Sequence, residues 1–174
     1  MKGIQNKEQA LEIIKARLKP GRLAHSIAVA EAAKELAARY GADTEKAELA
    51  GLLHDIMKGA PPEEQLQWAS KSAIMIDNAE KENGQLLHAP AGEAYLRTTY
   101  GIEDEDLLMA VRFHTTGRAG MSKLEQIIYL ADMISRDRKF PGVELIREAA
   151  QKSLKEGVLT GLKATLTKLQ KNGE

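Results

Sequence analysis

Apolar residues recur at helical spacing along nearly the whole chain, and no alternating run of β-branched residues reads as a strand. That pattern restricts the fold to packed helices. Ala10, Leu11, Ile14 and Leu18 form a first stripe, opened by a weak capping box at Asn6 and Gln9 and broken by Pro20-Gly21. The spacing predicts a second helix from about Arg22 to Tyr40, stopped by Gly41. Asp43 caps a third, which carries Ala47, Ala50, Leu53 and Met57. Gly59-Ala60-Pro61-Pro62 ends it and opens a short helix through Trp68. Lys71 to Gly84 is polar and ambiguous, and within it Asp77 to Gly84 is read as a solvated loop with a lid as the alternative. Further helices are expected from about His88 to Tyr100, from Asp104 to His114, and from the Ser122/Glu125 capping box through Ser135. Two more follow the turn from Lys139 to Gly142. The expected fold is all-α, a bundle of about seven to nine helices. At roughly 150 residues per domain, residues 1–174 make one domain. The last helix carries a ladder of Leu154, Val158, Leu162, Leu166 and Leu169, read as covering the core, with a dimer partner as the alternative.

Composition narrows the function. The 25 basic residues equal the 25 acidic ones, which argues against a nucleic-acid partner. There is no cysteine, so disulfides, thiolate nucleophiles and Cys-ligated metal sites are excluded. That absence fits a reducing cytoplasm. The N-terminal segment lacks an apolar signal region, and no apolar run approaches the ~18–20 residues of a membrane helix. A soluble cytoplasmic protein with no membrane partner is expected.

The four histidines, His25, His54, His88 and His114, each fall on the apolar stripe of a predicted helix. Asp55 follows His54 directly, and Asp132 lies on the face of Leu124, Ile128 and Ala131. One such histidine is most simply a core residue satisfied by a carbonyl. A carboxylate in apolar surroundings is harder to dismiss, because leaving it unpaired is very costly. Six such residues, using every histidine in the chain, have an economical common cause if the helices bring them together. A metal centre neutralises the carboxylates and takes neutral imidazoles as ligands. Adjacent His54 and Asp55 point about 100° apart on a helix, so they reach one cluster from a helix end rather than as an i,i+4 chelate.

The order His, His-Asp, His, His, Asp resembles the HD-domain metallophosphohydrolases. Arg22-Leu-Ala-His25-Ser, His54-Asp55-Ile-Met-Lys58, Leu87-His88-Ala-Pro90, Phe113-His114-Thr115-Thr116-Gly117-Arg118 and Leu130-Ala131-Asp132 sharpen the likeness to the YqeK-type subgroup. Those proteins are symmetrical diadenosine tetraphosphate hydrolases with a di-iron centre, and they release two ADP. The likeness spans residues 22–142, with helices over 143–170 packing on that core. It implies one ion held by His25, His54, Asp55 and Asp132, and a second held by Asp55, His88 and His114, with Asp55 bridging. A mixed N and O ligand set suits iron, or manganese, better than tetrahedral zinc. One departure stands out. The family follows the last aspartate with an acidic-Pro-Gly-Arg stretch before Phe-Pro-Gly. This chain has Ser135-Arg136-Asp137-Arg138-Lys139-Phe140-Pro141-Gly142, so the Arg and Phe-Pro-Gly elements remain and the acidic-Pro step is lost.

The implied chemistry is attack on a phosphoanhydride by a hydroxide held between two metals, with Asp55, Lys58 and Arg118 in the catalytic machinery. Arg22, Lys58, Thr115, Thr116, Arg118 and Arg138 are the candidate contacts to a small-molecule nucleotide. Lys58 and Arg118 each lie four residues after a proposed ligand, and an arginine fork suits bidentate phosphate binding. Other nucleotide hydrolysis, non-hydrolytic nucleotide binding and HD-type oxygenation are the alternatives. The complete ligand set speaks against pure binding, and the cations speak against an uncharged oxygenase substrate.

Overall fold

The computed structural model describes residues 4, 6–72, 75, 76, 78, 80 and 83–172. Among these it contains nine α-helices and no strand: α1 (Lys7–Arg17), α2 (Pro20–Tyr40), α3 (Thr44–Leu53), α4 (Pro62–Ala69), α5 (His88–Tyr100), α6 (Glu105–Phe113), α7 (Lys123–Ile134), α8 (Val143–Lys152) and α9 (Leu154–Asn172). The all-α expectation therefore holds. No helix among the described residues is long and apolar enough to cross a membrane.

Most helix starts follow their caps. Asp43 accepts the backbone N–H groups of Glu45 and Lys46, at 3.0 and 2.9 Å. Asp104 accepts from Leu107, and Ser122 with Glu125 forms the reciprocal box. Two boundaries differ from expectation. The first stripe does end before Pro20, with α1 stopping at Arg17, but Pro20 and Gly21 already form the first turn of α2, which thus starts before the expected Arg22, and there proline's missing N–H costs nothing. And α3 stops at Leu53 rather than continuing to Met57. From His54 the chain runs in tight turns, with Ile56 N–H bonding to Leu53 C=O and Lys58 N–H to Asp55 C=O.

Helix α2 is the spine of the site. It packs on α3 along one side and on α7 along another. Gly51 sets the first approach: a Cβ there would lie 2.6 Å from the Ala30 Cα, so only glycine lets α3 come so near. Helix α6 then joins α3, α5 and α7, and α4 lies on α5. The core between them includes Val29, Leu53, Ile56, Leu108, Ile127, Ile128 and Leu130, all fully buried. Helix α9 lies on α7 and α8, with Leu154 and Val158 buried, whereas Leu166 is exposed. The apolar ladder thus covers the core only along its first half. Residues 73, 74, 77, 79, 81 and 82 lie outside the described residues, so half of the positions under the loop-or-lid expectation for Asp77 to Gly84 are not described.

Candidate metal centre

The places where helices end govern the site. His54 immediately follows α3, His114 immediately follows α6, His88 opens α5, and His25 sits inside α2. All four are buried. The carbonyls of a last helical turn have no intrahelical partner. Gly51 and Val111 carry such carbonyls, and the structure uses them. His54 Nδ1 lies 2.7 Å from the Gly51 oxygen, and His114 Nδ1 lies 2.8 Å from the Val111 oxygen. His88 repeats the device on the turn before its helix, 2.7 Å from the Gln85 oxygen. A carbonyl can only accept, so each Nδ1 carries the proton and each Nε2 keeps its lone pair in the neutral ring.

Those three lone pairs face inward, toward Asp55. Asp55 Oδ1 lies 3.2 Å from His88 Nε2 and 3.6 Å from His114 Nε2. Asp55 Oδ2 lies 3.5 Å from His54 Nε2 and 4.0 Å from His25 Nε2. Asp132 Oδ1 completes the ring, 2.9 Å from His25 Nε2 and 3.9 Å from His54 Nε2. One carboxylate thus presents each oxygen to a different pair of imidazoles.

The geometry fits metal ligation. His54 Nε2 is buried without any hydrogen-bond partner. His88 Nε2 and His114 Nε2 lie only 3.1 Å apart, which sets two lone pairs against each other unless an electrophile draws on both. Ligands about 2.1 Å from one ion and at right angles to each other lie about 3 Å apart, and opposite ones about 4.2 Å. The separations above run over that span. The described residues therefore hold a His/Asp group able to bind metal, in the overlapping triads His25-His54-Asp55, His54-His114-Asp132 and Asp55-His88-His114.

Charge follows the same arrangement. Burial pushes the Asp55 carboxyl up, but the imidazoles of His54, His114 and His88 around it outweigh that and hold it well below the usual range. Asp132 is likewise held low, where His25, His54 and Arg138 overcome its burial. Burial drives His88 down to about 4, which keeps it neutral and ready to ligate. Burial also lowers His25, but Asp132 and Asp137 outweigh it and the net shift is upward.

The candidate substrate residues divide. Arg22 Nη1 donates to Asp55 Oδ2 at 2.8 Å. Arg138 donates from Nε to the Asp132 carbonyl at 2.7 Å and from Nη2 to the Asp132 carboxylate. Lys58 Nζ lies 3.2 Å from both His88 Nδ1 and the Gln85 oxygen, and burial lowers its pKa. Thr115 Oγ1 is buried with no hydrogen-bond partner. Arg22, Lys58 and Arg138 are thus brought to the cluster or its edge, and Thr115 follows His114 in the chain. Thr116 instead bonds its neighbour's carbonyl, that of Gly117, at the exposed rim. Arg118 lies along the Phe113 ring, with Nε and Nη2 on the buried Glu125 carboxylate at 2.6 and 2.7 Å. Trp68 packs edge-on against Tyr95 and takes no part in the cluster.

Sequence reading missed Asp137. Its Oδ2 lies 2.7 Å from His25 Nδ1, across 112 residues of chain. An acid near Asp132 was visible in the sequence, but nothing local reports a partner on α2.

Comparison with known proteins agrees with this geometry. The model of the HD domain matches residues 22–137. A symmetrical bis(5'-nucleosyl)-tetraphosphatase of Halalkalibacterium halodurans is 43% identical over 169 residues, 97% of this chain and 90% of that one. The Bacillus subtilis protein of the same name is 40% identical over 172 residues, again 97% and 90%. A crystal structure from Clostridium acetobutylicum, described as an HD superfamily hydrolase involved in NAD metabolism, superimposes with a TM-score of 0.92 at 37% identity. It covers 98% of this chain and 90% of its own.

Proposed function

The chain belongs to the HD-domain family, and from that premise we propose that it is a symmetrical bis(5'-nucleosyl)-tetraphosphatase, cleaving diadenosine tetraphosphate to two ADP. Asp55 carries the reading, because its two carboxylate oxygens face two separate sets of histidines. One ion is assigned to His25, His54, Asp55 and Asp132, and the second to Asp55, His88 and His114. The donors are nitrogen and oxygen only, which supports iron, with manganese as the second choice. The relatives' printed names supply the nucleotide substrate.

When bound, such ions acidify water and neutralise phosphoryl oxygens. The chain's own residues do the rest. His54, His88 and His114 have their tautomers fixed by backbone carbonyls, so their Nε2 atoms are oriented before any ligand arrives. Asp55 and Asp132 offset the metal charge. Arg22, Lys58 and Arg138 place three cations around one side, where a polyphosphate needs them. Thr115 keeps a buried hydroxyl free to bond a phosphoryl oxygen or a water. Thr116 lies at the rim. Arg118 reaches substrate only when Glu125 releases it.

The test is direct. Purified protein is assayed for metal, and products from diadenosine tetraphosphate are chromatographed with and without chelator. ADP alone, lost with chelator, is expected. AMP with ATP overturns symmetrical cleavage, and turnover unaffected by chelator overturns the metal reading. We further propose cytoplasmic residence, consistent with the absence of cysteine.

A further inference from the structure

Three of the four histidines share one solution to holding an imidazole in place, and His25 cannot use it. His54, His88 and His114 stand at helix ends or in the turn before one, where a main-chain carbonyl is free to accept Nδ1–H. His25 is the sixth residue of α2, a continuous helix of 21 residues. There the carbonyl three residues back is committed to the helix's own ladder. A ligand histidine inside a helix therefore needs an acceptor from elsewhere. Asp137, beyond the end of α7, supplies it, with Oδ2 2.7 Å from His25 Nδ1.

We propose that Asp137 is the positioning residue for His25, fixing the ring so that Nε2 points at the ion shared with Asp132 and Asp55. The proposal rests on the reading of the cluster as a metal centre. Two observations carry it. The contact is short and spans two elements, α2 and the segment after α7. The same segment returns to the cluster one residue later, where Arg138 binds the Asp132 carbonyl and carboxylate, so Asp137 is anchored from its neighbour. A carboxylate on the far nitrogen of a ligand histidine fixes its tautomer and raises its basicity, and losing such a partner costs about 10–100-fold in metal affinity.

The effect belongs to one ion, and that makes it testable. Metal-loaded wild type, Asp137→Ala and Asp137→Asn are titrated with a competing chelator, and release is followed for each equivalent. Wild type is expected to release two equivalents. Asp137→Ala is expected to hold one of them about 10–100-fold more weakly and the other unchanged. Asp137→Asn keeps an acceptor oxygen without the charge and is expected to fall between. A purely structural defect weakens both equivalents together and lowers the melting temperature of the metal-free protein, and that outcome overturns the proposal. So does an Asp137→Ala protein that matches wild type while both hold two equivalents. Wild type that binds no metal overturns the metal reading itself, and the positioning role with it.

Discussion

His88 and His114 lie behind Asp55, almost without solvent exposure, with their far nitrogens braced on the main chain, whereas His25 and Asp132 lean on the half-exposed side chains Asp137 and Arg138. Both regions use the same ligand chemistry. They differ in what holds the ligands still. The inner region borrows carbonyls that α6 and the turn before α5 leave free, so its geometry comes with the backbone. The outer region depends on side chains, and two of the cations proposed for phosphate binding, Arg22 and Arg138, lie on its carboxylates, whereas Lys58 meets His88 of the inner region. A rigid interior and a side-chain-built face suit a centre that must keep metal while exchanging nucleotides.

Asp55 is the one proposed ligand common to both regions, so its loss should have the largest effect. Asp55→Ala is expected to abolish turnover and remove both metal equivalents. Retention of metal and rate in that variant would sink the shared-carboxylate arrangement. Single-region variants come next. His88→Ala and His25→Ala are each expected to leave about one equivalent of metal, by elemental analysis of the purified protein. If either variant loses both equivalents, the two regions are not separable.

Acidity separates the regions in the metal-free protein. His88 is depressed from 6.5 to about 4. A depressed group binds fewer protons folded than unfolded, so its contribution is present above about pH 6.5 and is lost as pH falls toward 4. At 1.36 kcal/mol per pH unit this is on the order of 3 kcal/mol. His25 is shifted upward. Its contribution is present below its unfolded value, about 6.5, and fades as pH rises through the folded one. Denaturant melts of stripped protein across this range should show His88→Gln flattening the acid limb and His25→Gln the alkaline limb. Swapped limbs would reverse the assignment of the two regions.

Much of this was legible in the sequence because short-range rules govern it. Asp43, Asp104 and the Ser122/Glu125 box open their helices as a cap demands. Asp132 was placed by its stripe, and the six residues proposed as ligands lie together in overlapping His/Asp groups. What escaped was of two kinds. The end of α3 at Leu53 escaped because apolar periodicity runs on through Met57, and tight turns keep nearly the same stripe. The contact of His25 with Asp137, and the buried bidentate pair of Arg112 with Glu80, escaped because they are set by how distant segments dock. No local pattern encodes such a pairing.

The smallest predicted effect probes what braces His54. Gly51 plays two parts there: its missing side chain admits Ala30 of α2, and its carbonyl holds His54 Nδ1. In Gly51→Ala the new Cβ meets main-chain atoms, with Ala30 Cα at 2.6 Å and Ala30 N at 3.0 Å, so the two helices must separate. Overpacking of this kind costs about 1–3 kcal/mol, partly offset by alanine's better helix propensity. The separation moves the Gly51 carbonyl and the α2 residues together, so His54 and His25 shift against Asp55 while His88 and His114 do not. Stability should fall by that amount in denaturant melts. Metal titration should show the equivalent shared by His25 and His54 weakened and the one at His88 and His114 retained. Equal weakening of both would mean that the main chain braces the centre as one block and that the division into inner and outer regions fails.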